Sequence, residues 1–214
     1  MLSISYSSSE IMNEQKTINN ALRYVLDMLE KVNHYPYHNI NHTLDVYSRS
    51  EYLCDKEFVY LEEKTDVLIA ALFHDTWFTV RYWNNEIIWA EIARKYLEGI
   101  NWKEERIKRI ERIIMATVVF SETPNKLEQI IQDADMDNLW RKDCIIKTMN
   151  LKKELKLINK MDIPTKEWLI SAYSLFRKHR FKTYTAMAER NKTKKDNMKK
   201  MEERIELLSG IDME

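Results

Sequence analysis

Apolar residues recur along this chain at intervals of three and four for most of its length, the spacing that turns one face of an α-helix toward a core. Ile18, Leu22, Val25, Leu26 and Leu29 carry the stripe of a first predicted helix over 9–32, with Ser9 as its N-cap. A turn around Pro36 leads to a second helix over 39–54. A third, over 62–74, is held by Val67, Leu68, Ala71 and Leu72. The stretch 76–84 is aromatic and without helical period, so it reads as a loop. Further helices are predicted over 85–98, 103–118, 126–135, 141–159 and 165–178, the last opened by Pro164. The final helix, over 183–208, is highly charged, and Met187, Met198, Met201, Ile205 and Leu208 give it a thin apolar stripe. Every segment agrees on type, so the fold class is all-α. Three parts follow: a flexible Ser-rich N-terminus over 1–8, a core over 9–160, and a C-terminal helical extension over 161–214 that packs on the core.

Composition sharpens this reading. The 214 residues include only two glycines, Gly99 and Gly210, and three prolines. Average usage of about 7% would give roughly 15 glycines. A phosphate-binding P-loop and a GxGxxG dinucleotide turn are excluded, since each needs several glycines close together. The two glycines that remain read as helix stops, Gly99 after the fourth helix and Gly210 after the last. Apolar residues make up 44% of the chain, enough for a core and too many for disorder. Lys+Arg and Asp+Glu both number 34, so no basic footprint for nucleic acid covers the whole chain. Cys54 and Cys144 make neither a disulfide framework nor a CxxC pair. The longest apolar run, from Val67 to Phe73, falls far short of the roughly 20 residues that span a bilayer. With no cationic, apolar leader at its start, the chain is expected to be cytoplasmic and free of membrane.

Chemistry concentrates in the histidines and in one carboxylate cluster. His38 and His42 are four apart, on one helical face. His74 and Asp75 end an otherwise apolar helix. Asp133, Asp135 and Asp137 follow far downstream. Imidazole with carboxylate is a ligand set for Mn, Fe, Co, Ni or Zn, and its carboxylate content also admits Mg. A lone histidine or a lone His-Asp pair is ordinarily a hydrogen-bonded structural residue. The ordered combination is much harder to obtain from packing alone.

These motifs carry a resemblance. Tyr37-His38-Asn39-Ile40-Asn41-His42-Thr43-Leu44-Asp45-Val46 is similar to the opening motif of the HD-domain superfamily of metal-dependent phosphohydrolases. Ala70-Ala71-Leu72-Phe73-His74-Asp75 resembles its His-Asp doublet, and Asp133-Ala134-Asp135-Met136-Asp137-Asn138-Leu139 its final aspartate motif. The likeness covers residues 20–150 closely. It continues more loosely through 180–197, which resembles a segment of some small bacterial members. It implies an HD-domain helical bundle with one divalent metal held by His42, His74, Asp75 and Asp135. The activity implied is hydrolysis of a phosphoester or phosphoanhydride, with a nucleotide or other small phosphorylated metabolite as substrate. Asp75 would orient the attacking water. His38 matches the histidine that protonates the leaving oxygen in related cyclic-nucleotide phosphodiesterases; the alternative is that it only hydrogen-bonds at the start of its helix.

The chain departs from dinuclear members of the superfamily. No histidine lies between 75 and 178, Asn84-Asn85-Glu86 stands in place of a His-Glu or Asn-Glu motif, and Trp89 replaces a small residue. One ion is favoured. Glu86 reads either as a water-activating carboxylate, a second-metal ligand, or a carboxylate favoured by the helix dipole. Without a glycine loop, side-chain cations must receive phosphate, and Arg81, Lys126, Arg141, Lys142, Arg180 and Lys182 are the candidates. Arg81 sits among Trp77, Phe78, Tyr82 and Trp83, which either stack a base or close the core. The basic run around His179 reads as an anion contact or as exposed surface. The charged final helix suits solvent or contact with a second copy in a homodimer. Two alternatives remain: an HD-fold oxygenase or lyase that keeps the metal, and a non-catalytic protein that senses nucleotides.

Overall fold

The computed structural model describes residues 6–76 and 85–211. Of the loop expected over 76–84, all but Thr76 lies outside the described residues. Among the described residues the chain is all-helical, as the patterning predicts. The helices are α1 (Ser8–Leu29), α2 (Ile40–Lys56), α3 (Leu61–Phe73), α4 (Glu86–Gly99), α5 (Glu104–Met115), α6 (Lys126–Asp135), α7 (Cys144–Asn159), α8 (Thr165–Lys178) and α9 (Tyr184–Ile211). Short 3-10 segments follow α1 at Glu30–Val32 and α6 at Met136–Trp140.

The bundle is organised around α3. Its residues from Thr65 to Phe73 are all buried, and α1, α2, α4, α5 and α6 pack against it. A helix enclosed on every side must be apolar all round, and VLIAALF meets that requirement. Asp66 is the one charge taken into this environment. Arg106 and Arg109 of α5 meet it at 2.7 and 2.8 Å, and Arg106 also pairs with Glu14 of α1 at 2.7 Å. A buried carboxylate is tolerated only when paired in this way, and the network ties α1, α3 and α5 together.

The C-terminal extension shares the core. Leu169, Phe176, Phe181, Ala186 and Met201 belong to the same buried cluster as the α3 residues. Trp140, wholly buried at the end of the second 3-10 segment, lies 4.7 Å from the Phe176 ring and 5.8 Å from that of Phe181. Ion pairs reinforce the seam: Asp137 meets Arg49 of α2 at 2.9 Å and Arg190 of α9 at 2.7 Å. Cys54 and Cys144 are free and buried. No described helix is long and apolar enough to cross a membrane.

Three local expectations are corrected. Ser7, not Ser9, caps α1: its hydroxyl accepts from the Glu10 N–H while the Glu10 carboxylate accepts from the Ser7 N–H, a complete capping box. Gly99 lies inside α4 rather than beyond it. The left-handed residue after α4 is Asn101, at φ 55°. Trp102 N–H donates to Leu97 C=O and Asn101 N–H to Glu98 C=O, the Schellman pattern with asparagine in the position glycine usually holds. Gly210 also lies within its helix, since α9 runs to Ile211.

Candidate metal centre

The site forms where α2, the end of α3 and the end of α6 meet. At the start of α2, the Asn39 side chain accepts from the N–H groups of Asn41 and His42, and its amide donates to Tyr35 C=O at 2.7 Å. This asparagine N-cap fixes the first turn, where His42 sits. At the end of α3, His74 Nδ1 donates to Ala71 C=O at 2.8 Å and the Thr76 hydroxyl to Phe73 C=O at 2.9 Å. Carbonyls left open by the helix end are thereby satisfied. His74 is also set in the tautomer whose Nε2 carries a lone pair. Asp135 is the last residue of α6, held beside α2 by the Asp137 ion pairs two residues further on.

These elements bring His42 Nε2, His74 Nε2 and an Asp135 carboxylate oxygen within 4.8 Å of one another, a group able to hold a metal ion. The two Nε2 atoms are 3.4 Å apart. Asp135 Oδ1 is 3.3 Å from His42 Nε2 and 3.7 Å from His74 Nε2. Asp75 Oδ2 lies 3.0 and 3.2 Å from the same two nitrogens. Donors about 2.1 Å from a shared ion stand about 3.4 Å apart at a tetrahedral angle and about 3.0 Å at a right angle. The observed separations bracket these values. Asp75 Oδ2 is buried without a hydrogen bond, and it faces the lone pair of His74. Two acceptors so placed are satisfied by a cation, and the donor set therefore fits a divalent metal.

Charge sharing in the cluster points the same way. Burial alone would lower the His42 pKa, but the Asp135 and Asp75 carboxylates outweigh it and raise the value. His74 is raised well above the ordinary range, burial again being overcome by Asp75 and Asp135. Burial would raise both carboxyls, yet the two imidazoles hold Asp75 well below the usual range and Asp135 at about 2. A metal would be held by neutral imidazoles and ionised carboxylates, so its binding would compete with protonation of the two histidines.

Around this cluster stand residues that the sequence motifs did not single out. Glu154 of α7 is wholly buried. Its Oε2 accepts the backbone N–H groups of Tyr37 and His38 at 2.8 and 2.9 Å, and its Oε1 bonds His38 Nδ1. His38 is thus held by a carboxylate, with its ring 5.8 Å from that of His42. Asn138 Nδ2 donates to the Tyr37 hydroxyl at 2.9 Å and lies 3.5 Å from His42 Nδ1, while its Oδ1 is buried without a partner. A half-turn of the amide would offer that oxygen to His42 Nδ1–H, the partner a metal-ligating imidazole needs. Glu154 was legible only as a carboxylate on the apolar face of Leu151, Leu155 and Ile158, inside a lysine-rich run.

The other expected residues are not gathered here. Asp133 turns away from the cluster: it accepts from Lys182 N–H, Thr183 N–H and the Thr183 hydroxyl, anchoring the start of α9. Glu86 opens α4, one turn before Trp89, whose ring is 6.5 Å from that of His74. Among the described residues it makes no bond to the cluster. Lys126 donates to Glu57 C=O at the far end of α6, about 14 Å along the axis from Asp135. Lys142 is exposed, beside an Arg141 engaged by Asp45 and Asp143. Arg180 turns one guanidinium nitrogen onto the carbonyls of Arg177 and His179. Arg81 lies outside the described residues, as do Trp77, Phe78, Tyr82 and Trp83.

No protein-family model, curated protein or solved structure matches the chain.

Proposed function

We propose that the protein is a metal-dependent phosphohydrolase acting on a phosphoester or phosphoanhydride of a nucleotide or other small phosphorylated metabolite. The observation that carries this reading is the convergence of two imidazole Nε2 atoms and two carboxylates on one point, with a carboxylate-held histidine just before α2 whose ring is 5.8 Å from that of His42. The motifs that resemble the HD superfamily supply these residues. A divalent ion bound there would make water a better nucleophile at neutral pH and polarise a phosphoryl oxygen.

The chain's own residues have distinct tasks. His42, His74 and Asp135 would hold the ion, and Asp75, against both imidazoles, would serve as a further ligand and orient the attacking water. Ala71 C=O keeps the His74 tautomer. Glu154 fixes the His38 ring, and His38 delivers a proton to the leaving oxygen.

The test is turnover of a nucleotide and phosphomonoester panel by metal-loaded protein, read as phosphate release alongside oxygen uptake. Phosphate release that disappears in His74→Ala and Asp75→Ala supports the reading. Oxygen uptake without phosphate release would replace it with oxygenase chemistry, and tight nucleotide binding without product would replace it with a sensor.

A further inference from the structure

A second feature lies on α6, one residue beyond the metal cluster. The link between α8 and α9 folds over the last turn of α6 and encloses a cavity of about 150 Å³. Lys178, His179, Arg180 and Lys182 line it from the link, and Gln132 and Met136 from the α6 side. None of His42, His74, Asp75 or Asp135 reaches its wall.

Among the described residues, the cations of this wall form no side-chain ion pair, although Asp133 lies close enough to feel the Lys182 charge. Arg49, Arg94, Arg106, Arg109, Arg141 and Arg190 all meet carboxylates elsewhere in the molecule. Among the described residues, the side chains of Lys178, Arg180 and Lys182 meet none. Lys182 Nζ donates to Ser121 C=O and the Thr123 hydroxyl, which are neutral acceptors. Arg180 uses only Nη1 on backbone carbonyls, leaving Nε and Nη2 without protein acceptors. The oxygens of Asp133, just across α6, are taken by the N–H groups of Lys182 and Thr183 and by the Thr183 hydroxyl.

His179 is the second, independent observation. It is 5% exposed and stacks between Trp140 and Phe181, at 5.2 and 4.8 Å between ring centroids. Its Nδ1 is buried with no hydrogen-bond partner. A buried ring nitrogen without a partner is costly, and it belongs to a residue in a wall that already carries three cations. Burial, followed by Lys194, Lys182 and Arg180, depresses this imidazole to about 4, as expected of a neutral donor in a positive field.

We propose that this cavity is an oxyanion site that takes a single phosphate group, with Lys178 and Arg180 supplying charge and His179 Nδ1–H a directed donor. Its volume decides the ligand class. At about 150 Å³ it is well below the roughly 300–1,000 Å³ of sites that enclose a whole metabolite, so the group enters as free phosphate or as the terminal phosphate of a larger molecule lying outside. The inference does not depend on the metal reading.

The full-length protein is titrated with sodium phosphate at constant ionic strength while histidine rings are followed by long-range proton–nitrogen NMR. Phosphate should move the His179 signals along a saturating curve, chloride should not, and chelation of bound metal should leave the response intact. Lys178→Gln, an exposed side chain with no bonded partner, should weaken binding about tenfold without lowering the melting temperature. A 5′-mononucleotide that moves His179 with the same dependence on Lys178 assigns the phosphate to a larger molecule; phosphate alone doing so assigns the free ion. Fixed His179 signals in phosphate, shifts matched by chloride, or full affinity in Lys178→Gln would overturn the proposal.

Discussion

Asp133 and Asp135 are two residues apart in one motif, yet their substitution should have opposite consequences. Asp133→Ala removes the acceptor of three hydrogen bonds at the start of α9. Bonds to a charged group contribute about 1.5–3 kcal/mol each. Asp133 is buried, and burial raises its pKa even against the Thr183 and Lys182 N–H groups, so the lower figure applies and part of it is offset. The net cost is about 3 kcal/mol, a fall in melting temperature of roughly 6–12 °C for a domain of this size. Metal stoichiometry should be unchanged. Asp135→Ala should instead abolish metal binding, because its oxygen is one of three donors in the compact group. Circular-dichroism melts with elemental analysis of each variant decide the matter. An Asp133→Ala protein that melts like wild type but has lost its metal would refute the division of roles.

Three further outcomes are expected. His179 stays neutral in the folded protein down to about 4, whereas the unfolded chain protonates it near 6.5. Between those values the unfolded state binds more protons, so stability falls as pH drops through the window. The separation of these two values corresponds to about 3 kcal/mol, and the wild-type-minus-His179→Gln difference in urea melts from pH 7 to pH 4 should show a loss of that order. Asn138→Leu should lower metal affinity 10–100-fold without removing the site, as loss of a ligand's supporting partner does, measured by competition with a chelating dye. Glu154→Gln should leave metal content unchanged and slow alkyl phosphate hydrolysis by about 100-fold, with a much smaller effect on p-nitrophenyl phosphate, whose leaving group needs no proton; equal slowing of both substrates would remove His38 as the acid.

Sequence reasoning reached the site where its residues are contiguous and the fold where its periodicity is strong. VLIAALF followed by His74-Asp75 announces a buried helix ending in polar side chains; the helix is buried as expected, and His74 joins a group able to hold a metal ion. Asp133 and Asp135 look equivalent in one dimension. On a helix, residues two apart point roughly 200° away from each other, so only one of them can face the cluster. Glu154 was hidden because a lysine-rich run reads as solvated surface, and its partners, Tyr37 and His38, lie over a hundred residues earlier. The scarcity of glycine misdirected the helix ends: Asn101 adopts the left-handed turn that Gly99 was expected to supply, as asparagine can at modest cost. Lys126 shares a helix with Asp135, but sits at its opposite end, which proximity in sequence conceals.

The most direct test is metal stoichiometry by elemental analysis of full-length protein equilibrated against divalent ions, beside His74→Ala. One ion per chain in the wild type and none in the variant is the expected result. No bound ion in the wild type, or equal stoichiometry in both, would contradict a metal centre built on His42, His74 and Asp135.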